Sequence, residues 1–227
     1  MNLFDILGPV MVGPSSSHTA GAVRIGWMTQ KLLGEQPVEA KILMYGSFAA
    51  KGKGHGTDRG LVAGLLGMRP DDERIPDSFE IARKMGLSYS FGIANLTSAH
   101  PNSVVLEVKG KSGRTLEVQA CSLGGGRIMI NRLDGLDVNC SCEIPTLIVH
   151  NLDQPGHVAE VTSMLAHKSV NIANMSLYRD KRGGSAVMVV EMDQPLPKES
   201  LEWLEHLEGI VKVTYINVTE GEEDDVL

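Results

Sequence analysis

The sequence predicts an α+β chain: a mixed α/β amino-terminal domain over residues 1–143, a βαββαβ unit over 145–219, and an acidic tail over 220–227. Three observations carry this reading. With 227 residues, 42% of them hydrophobic and 22% charged, the chain is long enough to bury two modest cores. The run NCSCEIP, from Asn139 to Pro145, separates two differently patterned regions, and Pro145 introduces the apolar run TLIVHNL. Beyond it, period-two and helical patterns alternate as strand, helix, strand, strand, helix, strand, which is the ferredoxin-like order.

In the first region the pattern predicts a short helix (2–7), a Gly-Pro-Ser loop (8–17), a helix from His18 to Leu33 and a strand over 38–47. A glycine-studded loop (51–56), a helix to Leu66, a helix over 77–85 and strands near 87–95, 103–109, 114–121 and 126–134 follow, with mostly antiparallel pairing. Ser122-Leu123-Gly124-Gly125-Gly126 reads as a wide hairpin turn whose glycines would also let a ligand approach the backbone. The second region is more regular. Strand 145–151 leads through Asp153-Gln154-Pro155-Gly156 to a helix over 157–168, where Val158, Val161, Met164 and Leu165 share a face and Pro155 presets the first turn. Strands 171–180 and 185–192 flank a Gly183-Gly184 hairpin; helix 197–207, entered through Pro195 and Pro197, and strand 211–218 complete the unit. Ala186, Met188, Val190 and Met192 alternate with Val187, Val189 and Glu191, the pattern of a strand with one largely buried face.

Composition excludes several classes of function. The 21 basic and 28 acidic residues give a net charge of −7, but Glu220, Glu222, Glu223, Asp224 and Asp225 supply most of that excess, so no nucleic-acid footprint remains. The longest apolar stretch, near Leu61–Met68, is far short of the ~20 residues that cross a bilayer. Asp5 stands where a secretion signal would carry a cation, so a cytoplasmic location is expected. Cys121, Cys140 and Cys142 offer neither a disulfide framework nor a four-thiolate zinc site, and no metal ligands are predicted in this chain.

Two constellations point to chemistry. In Ser15-Ser16-Ser17-His18-Thr19, hydroxyls and an imidazole gather where a helix should begin; N-capping explains serines there, but unpaired backbone N–H groups also favour an anion of carboxylate size, and His18 can exchange protons near neutrality. In Lys51-Gly52-Lys53-Gly54-His55-Gly56-Thr57-Asp58, glycines surround two lysines and a histidine without the spacing of a nucleotide loop. His55 is poorly shielded there, while Thr57 or Asp58 can cap the next helix and Asp58 can orient an imidazole. His100-Pro101-Asn102 reads as a proline-directed turn. In the second region Asn151, Asp153, Asn171 and Asn174 are expected at one end of the sheet, where they would hold a small zwitterion.

PSSSHTAGAVRIG, GKGHGTDRG, HPNS and SLGGG, in this order ahead of a βαββαβ module, resemble the beta chain of bacterial iron–sulfur-dependent L-serine dehydratase over essentially the whole chain. The first domain is similar to the substrate- and allosteric-type domain of some phosphoglycerate dehydrogenases, and residues 145–219 resemble an ACT domain. The resemblance implies elimination of water from L-serine, giving pyruvate and ammonia, with a [4Fe–4S] cluster as Lewis acid held by an alpha chain and no pyridoxal phosphate. It places Ser15, Ser16, Ser17 and Thr19, with Thr57 and Asp58, near the substrate, and makes His55 the favoured base with His18 as orienting or second acid–base group. It also implies that this chain alone is inactive. Asn171 matches an effector-binding amide of related ACT domains, whereas Asp153 stands where asparagine is usual, and a carboxylate there would repel that of an effector. Self-association through ACT edge strands or helices is the firmer expectation. A different class of function, a non-catalytic amino-acid sensor, would need neither imidazole for turnover.

Overall fold

A computed structural model describes residues 10–52 and 54–217, so the expected helix 2–7, the acidic tail and Lys53 lie outside the described residues. The chain divides into two compact units, Met1–Gly135 and Leu136–Leu227, whereas the sequence reading places the junction at 139–145.

In the first unit a π-helical turn, Ser16–Ala20, runs into α1 (Gly21–Leu33). Then come β1 (Pro37–Met44), α2 (Gly46–Lys51), α3 (Thr57–Leu65), a 3₁₀ turn (Ile75–Asp77), α4 (Ser78–Met85), β2 (Ser88–Ile93), β3 (Ser103–Gly110), β4 (Thr115–Gly124) and β5 (Arg127–Leu133). Within this unit the strand order is β2-β1-β3-β4-β5, with β1 and β2 parallel and the other pairs antiparallel. The parallel pair is reached through the α2–α4 crossover, which is why one exception interrupts the antiparallel pattern.

Alternation along the strands sends Ala40, Ile42, Leu106, Val108, Leu116, Val118, Ile128 and Ile130 into the core, where α1 packs on β3, β4 and β5. Each such buried aliphatic side chain contributes about 1.5–3 kcal/mol. Many intervening positions are polar, among them Glu39, Glu117, Gln119 and Asn131, and Lys41 and Glu107 form a 2.9 Å ion pair. Helices α1 and α3 touch through backbone. A Cβ on Gly60 would stand 3.0 Å from the Thr19 carbonyl, and one on Gly64 would stand 2.5 Å from the Trp27 amide and clash with the Val23 carbonyl. Since Gly60 faces Thr19–Val23 and Gly64 faces Val23–Trp27, the two helices run parallel, with both amino termini at one end.

Three local expectations are corrected here. Strand β1 stops at Met44 because Gly46 takes a φ of +58° and turns the chain into α2, so Ser47 is helical. The helix predicted from His18 opens with a π turn, since both Thr19 and Ala20 donate to the Ser15 carbonyl. A strand absent from the sequence reading, β6 (Leu136–Cys140), follows Asp134 and Gly135, both at positive φ.

The second unit contains β6, β7 (Thr146–Leu152), α5 (His157–His167), β8 (Ile172–Arg179), β9 (Ser185–Met192), α6 (Lys198–Glu205) and β10 (Ile210–Ile216). Strands β10-β7-β9-β8 form an antiparallel sheet, giving the βαββαβ order the pattern predicts. Leu147, Val149, Val161, Leu165, Met188, Val190, Met192 and Leu204 form its core. Strand β9 departs from the expected single buried face: Val187 and Val189 are buried as fully as Met188 and Val190. Strand β6 lies against β8 and β9, and Ser141 donates to Glu191 beside it. Pro155 precedes the first helical turn rather than entering it; Gly156, at φ +111°, is the cap of α5. Among the described residues no helix is long and apolar enough to cross a membrane.

Candidate active site

The parallel α1–α3 pair presents two loops at the same end. On the first, the Ser15 hydroxyl accepts from the His18 amide at 3.1 Å and lies 3.4 Å from the Ser17 hydroxyl. On the second, the His55 carbonyl accepts from the Thr19 hydroxyl at 2.8 Å, tying the loops directly together. Their imidazoles consequently meet, with centroids 5.3 Å apart at 41°. Thirty-six residues of sequence separate Thr19 from the His55 carbonyl that it holds.

The two rings have different surroundings. His18 is half-buried against Phe48, at 5.5 Å between centroids, and both of its nitrogens are engaged: Nδ1 with the Ser17 hydroxyl at 3.1 Å and Nε2 with the Ser47 hydroxyl at 3.0 Å. His55 is exposed, and its Nδ1 lies 3.4 Å from the Lys51 carbonyl. A carbonyl only accepts, so in the neutral ring this contact favours the tautomer with the proton on Nδ1 and the lone pair on Nε2. Burial, the His55 ring and the Lys51 ammonium, in that order, hold the His18 imidazole below its ordinary 6.5, against a backbone hydrogen bond at Ser47 that favours the charged form.

No acidic side chain lies in the π turn or in the first turn of α1. Asp58 lies in the first turn of α3, so the start of α1, Lys51 and the hydroxyls are the groups here that favour a small anion. The SLGGG turn closes one side. The Gly126 amide donates to the Ser16 carbonyl at 3.3 Å, and Ser122 lies so close beneath Gly21 that a Cβ there would overlap its hydroxyl. Among the described residues the Ser122 and Thr57 hydroxyls are buried without a hydrogen-bond partner.

Of the residues singled out in the sequence, Ser15, Ser16, Ser17, His18, Thr19 and His55 come together. Thr57 is buried at the start of α3, but the cap there is Gly56 in left-handed conformation, so neither Thr57 nor Asp58 caps the helix. Asp58 does not orient an imidazole: its carboxylate accepts from the Arg59 amide at 2.8 Å, its charge helps raise the Tyr89 phenol, and no described hydrogen bond joins it to either ring. Ser47 escaped the sequence reading because it was assigned to the end of the strand 38–47, and Phe48, just beyond that strand, was given no element. The only local signal was Gly46, whose positive φ seats it against Pro101.

In the second unit the expected zwitterion site does not assemble within one chain. Asn151 and Arg179 both pair with Ala186, whereas Ile172 pairs with Met192 at the other end of β9. Asp153 bonds Gly184 and Asn171 bonds Asp193, so the two are at opposite ends of the sheet, about 30 Å apart at ~3.3 Å per residue. Strands β7 and β8 both run antiparallel to β9, which lies between them, so β8 starts at the same end of the sheet as β7, opposite to the expectation. Each side chain also has a local role. Asp153 binds the Gly183 amide at 2.9 Å and Arg179 at 3.0 Å, contacts that lower its pKa with the amide contributing most. Asn171 donates to Asp193 at 2.5 Å, Asn174 to Glu191 at 3.0 Å, and buried Asn151 to the Leu152 carbonyl at 2.6 Å.

All three cysteines are buried and outside any disulfide, the Cys140 and Cys142 sulfurs lie 2.9 Å apart, and burial pushes the Cys121 thiol above its ordinary range. Cys121 belongs to the first unit, Cys140 and Cys142 to the second. Among the described residues no three His, Cys, Asp or Glu side chains gather as a metal site, so this set does not fit the ligation of a cluster.

The fold defines a two-part chain in which a unit that brings serine hydroxyls and two imidazoles together precedes a ferredoxin-like module of the ACT type. The family model described as serine dehydratase beta chain matches residues 2–90, and the ACT domain model matches residues 145–207. The chain is 40% identical over 215 residues to the probable L-serine dehydratase beta chain of Bacillus subtilis, covering 95% of this chain and 97% of that one. It is 36% identical over 216 residues to the L-serine dehydratase beta chain of Peptoniphilus asaccharolyticus, covering 95% and 97%. A D-3-phosphoglycerate dehydrogenase of Bacillus subtilis is 25% identical over 199 residues, 87% of this chain and 37% of that enzyme. The chain belongs to the serine dehydratase beta chain family.

Proposed function

We propose that this chain is the beta subunit of an L-serine dehydratase, converting L-serine to pyruvate and ammonia together with an alpha chain in the cytoplasm. The observation that carries the reading is the 5.3 Å approach of His18 and His55 beside the serine-rich turn. A carboxylate has donors here in the Ser15, Ser16 and Ser17 hydroxyls and the backbone ends of two helices. Thr19 gives its proton to the His55 carbonyl, so its part is to join the loops. Thr57, with a buried free hydroxyl, remains a candidate substrate contact.

His55 is assigned as the base, since its ring is exposed and the tautomer favoured by the Lys51 carbonyl has the Nε2 lone pair to take the α-proton of serine. The C–H pair becomes the new C=C bond as the β-hydroxyl leaves. The resulting aminoacrylate tautomerises to an imine, and water replaces its nitrogen as ammonia. His18, engaged at both nitrogens, orients the substrate or serves as second acid–base group. The cofactor in this reading is a [4Fe–4S] cluster with ligands from the alpha chain, because the cysteines of this chain do not form a ligand set. Pyridoxal phosphate has no part in it.

The domain plan is a serine dehydratase-type domain to residue 143, an ACT domain over 145–219 and an acidic tail over 220–227. The ACT domain is assigned to self-association: β8 and β10 are the outer strands of its sheet, with Leu177 and Val211 exposed.

In the alpha–beta complex prepared anaerobically, His55→Ala is expected to lower kcat by ~10²-fold or more. Turnover within a few-fold of the unaltered complex would refute the assignment and favour a sensing role.

A further inference from the structure

The His100-Pro101-Asn102-Ser103 turn touches neither imidazole directly, yet its contacts converge on His18. The Pro101 carbonyl accepts from the Ser47 amide at 2.7 Å, and the Ser103 carbonyl accepts from the Tyr45 amide at 2.9 Å. Between them lies Gly46, where a Cβ would come within 2.5 Å of the Pro101 carbonyl oxygen, so the backbone at 45–47 is seated flush on the turn.

The turn is itself braced. The Ser103 hydroxyl donates to the His100 carbonyl at 2.6 Å, the Asn102 amide donates to His100 Nδ1 at 3.2 Å, and the Asn102 carbonyl accepts from the Ser122 amide at 3.0 Å. Ser47 is therefore fixed by its backbone, and its hydroxyl meets His18 Nε2 at 3.0 Å. With Ser17 at Nδ1 and Phe48 against the ring, His18 is held at both nitrogens and along one face.

We infer that Ser47 is a positioning residue for His18, and that the His100–Ser103 turn exists to place it. An imidazole rotates freely about two side-chain bonds, and a hydroxyl supplied from a rigid backbone removes that freedom before substrate arrives. The hydroxyl also biases which nitrogen carries the proton of a neutral ring. This deepens the proposed function and rests on the His18–His55 site being where turnover occurs.

The test uses Ser47→Ala and Ser47→Thr in two settings. In the full-length chain labelled with ¹⁵N-histidine, the His18 ring nitrogens of the unaltered protein should report one dominant tautomer. Ser47→Ala should turn this into an averaged mixture, and Ser47→Thr, which keeps the hydroxyl, should restore it. In the alpha–beta complex, Ser47→Ala should lower kcat ~10-fold or more with KM held within about twofold, and Ser47→Thr should recover most of the loss.

An unchanged ring signature in Ser47→Ala, or a changed signature without loss of kcat in a complex that His55→Ala inactivates, overturns the inference. Failure of the underlying reading looks different: His55→Ala would then leave turnover intact while Ser47→Ala still alters the ring. Circular dichroism of each variant excludes loss of fold as the cause, and if Ser47→Ala does not fold, loss of kcat in folded Ser47→Thr without any tautomer change would overturn the inference.

Discussion

His18 shows how one side chain couples the site to stability. Because its pKa in the folded chain is depressed from 6.5, the unfolded chain binds a proton at a higher pH than the native one does. Its contribution is intact above about pH 6.5 and is lost progressively as pH falls through that value toward the folded pKa. Urea unfolding of the unaltered chain should therefore show stability falling between pH 7.5 and 5.5, and His18→Gln should show a shallower fall across the same window. An identical slope in the variant would mean that the ring is not desolvated as described. The individual residues were legible in the sequence where their chemistry is local: three serines before a histidine at a helix start needed no tertiary information. Ser47 was not legible, because a serine at the end of an apolar run looks like a strand terminus until Pro101, 54 residues further on, is placed beside it.

Elements carry these residues, and the α1–α3 contact is the most demanding of them. Gly64 packs on the Val23 carbonyl and the Trp27 amide, which are backbone atoms without rotamers to yield. Gly64→Ala should destabilise the chain by ~1–3 kcal/mol through overpacking. It should also lower turnover of the complex more than an exposed substitution such as Lys84→Ala, whose 2.8 Å pair with Glu80 is open to solvent. Equal urea midpoints for the two variants would show that the helices are not in backbone contact. The second unit was readable element by element because each boundary has a local cause, such as Pro155-Gly156 before α5 and Gly183-Gly184 between β8 and β9. The first unit was less readable. The π turn depends on one extra bond to the Ser15 carbonyl; at the junction with the second unit, β6 was passed over although Asp134-Gly135 is a strong turn signal. The expected grouping of Asn151, Asp153, Asn171 and Asn174 at one end of the sheet does not hold within one chain for a topological reason: these residues do lie at loop and strand ends, but which end lies beside which is set by pairing with β9.

For the whole molecule, the separation of labour between chains is the testable consequence. The isolated chain, after anaerobic iron–sulfur reconstitution, should show no cluster absorption and form no pyruvate from serine, and it should sediment as more than one copy. A stable cluster on this polypeptide would overturn the assignment of the ligands to the alpha chain, and a monomer at micromolar concentration would remove the role given to the second unit.

The closeness of Ser122 to Gly21 reaches beyond the site itself. With no room for a methyl group at the start of α1, these two positions cannot drift independently during descent. A lineage that acquires alanine at 21 must first have lost the hydroxymethyl group at 122, so glycine at 122 should precede it in ancestry, and chains carrying both alanine and serine should be rare.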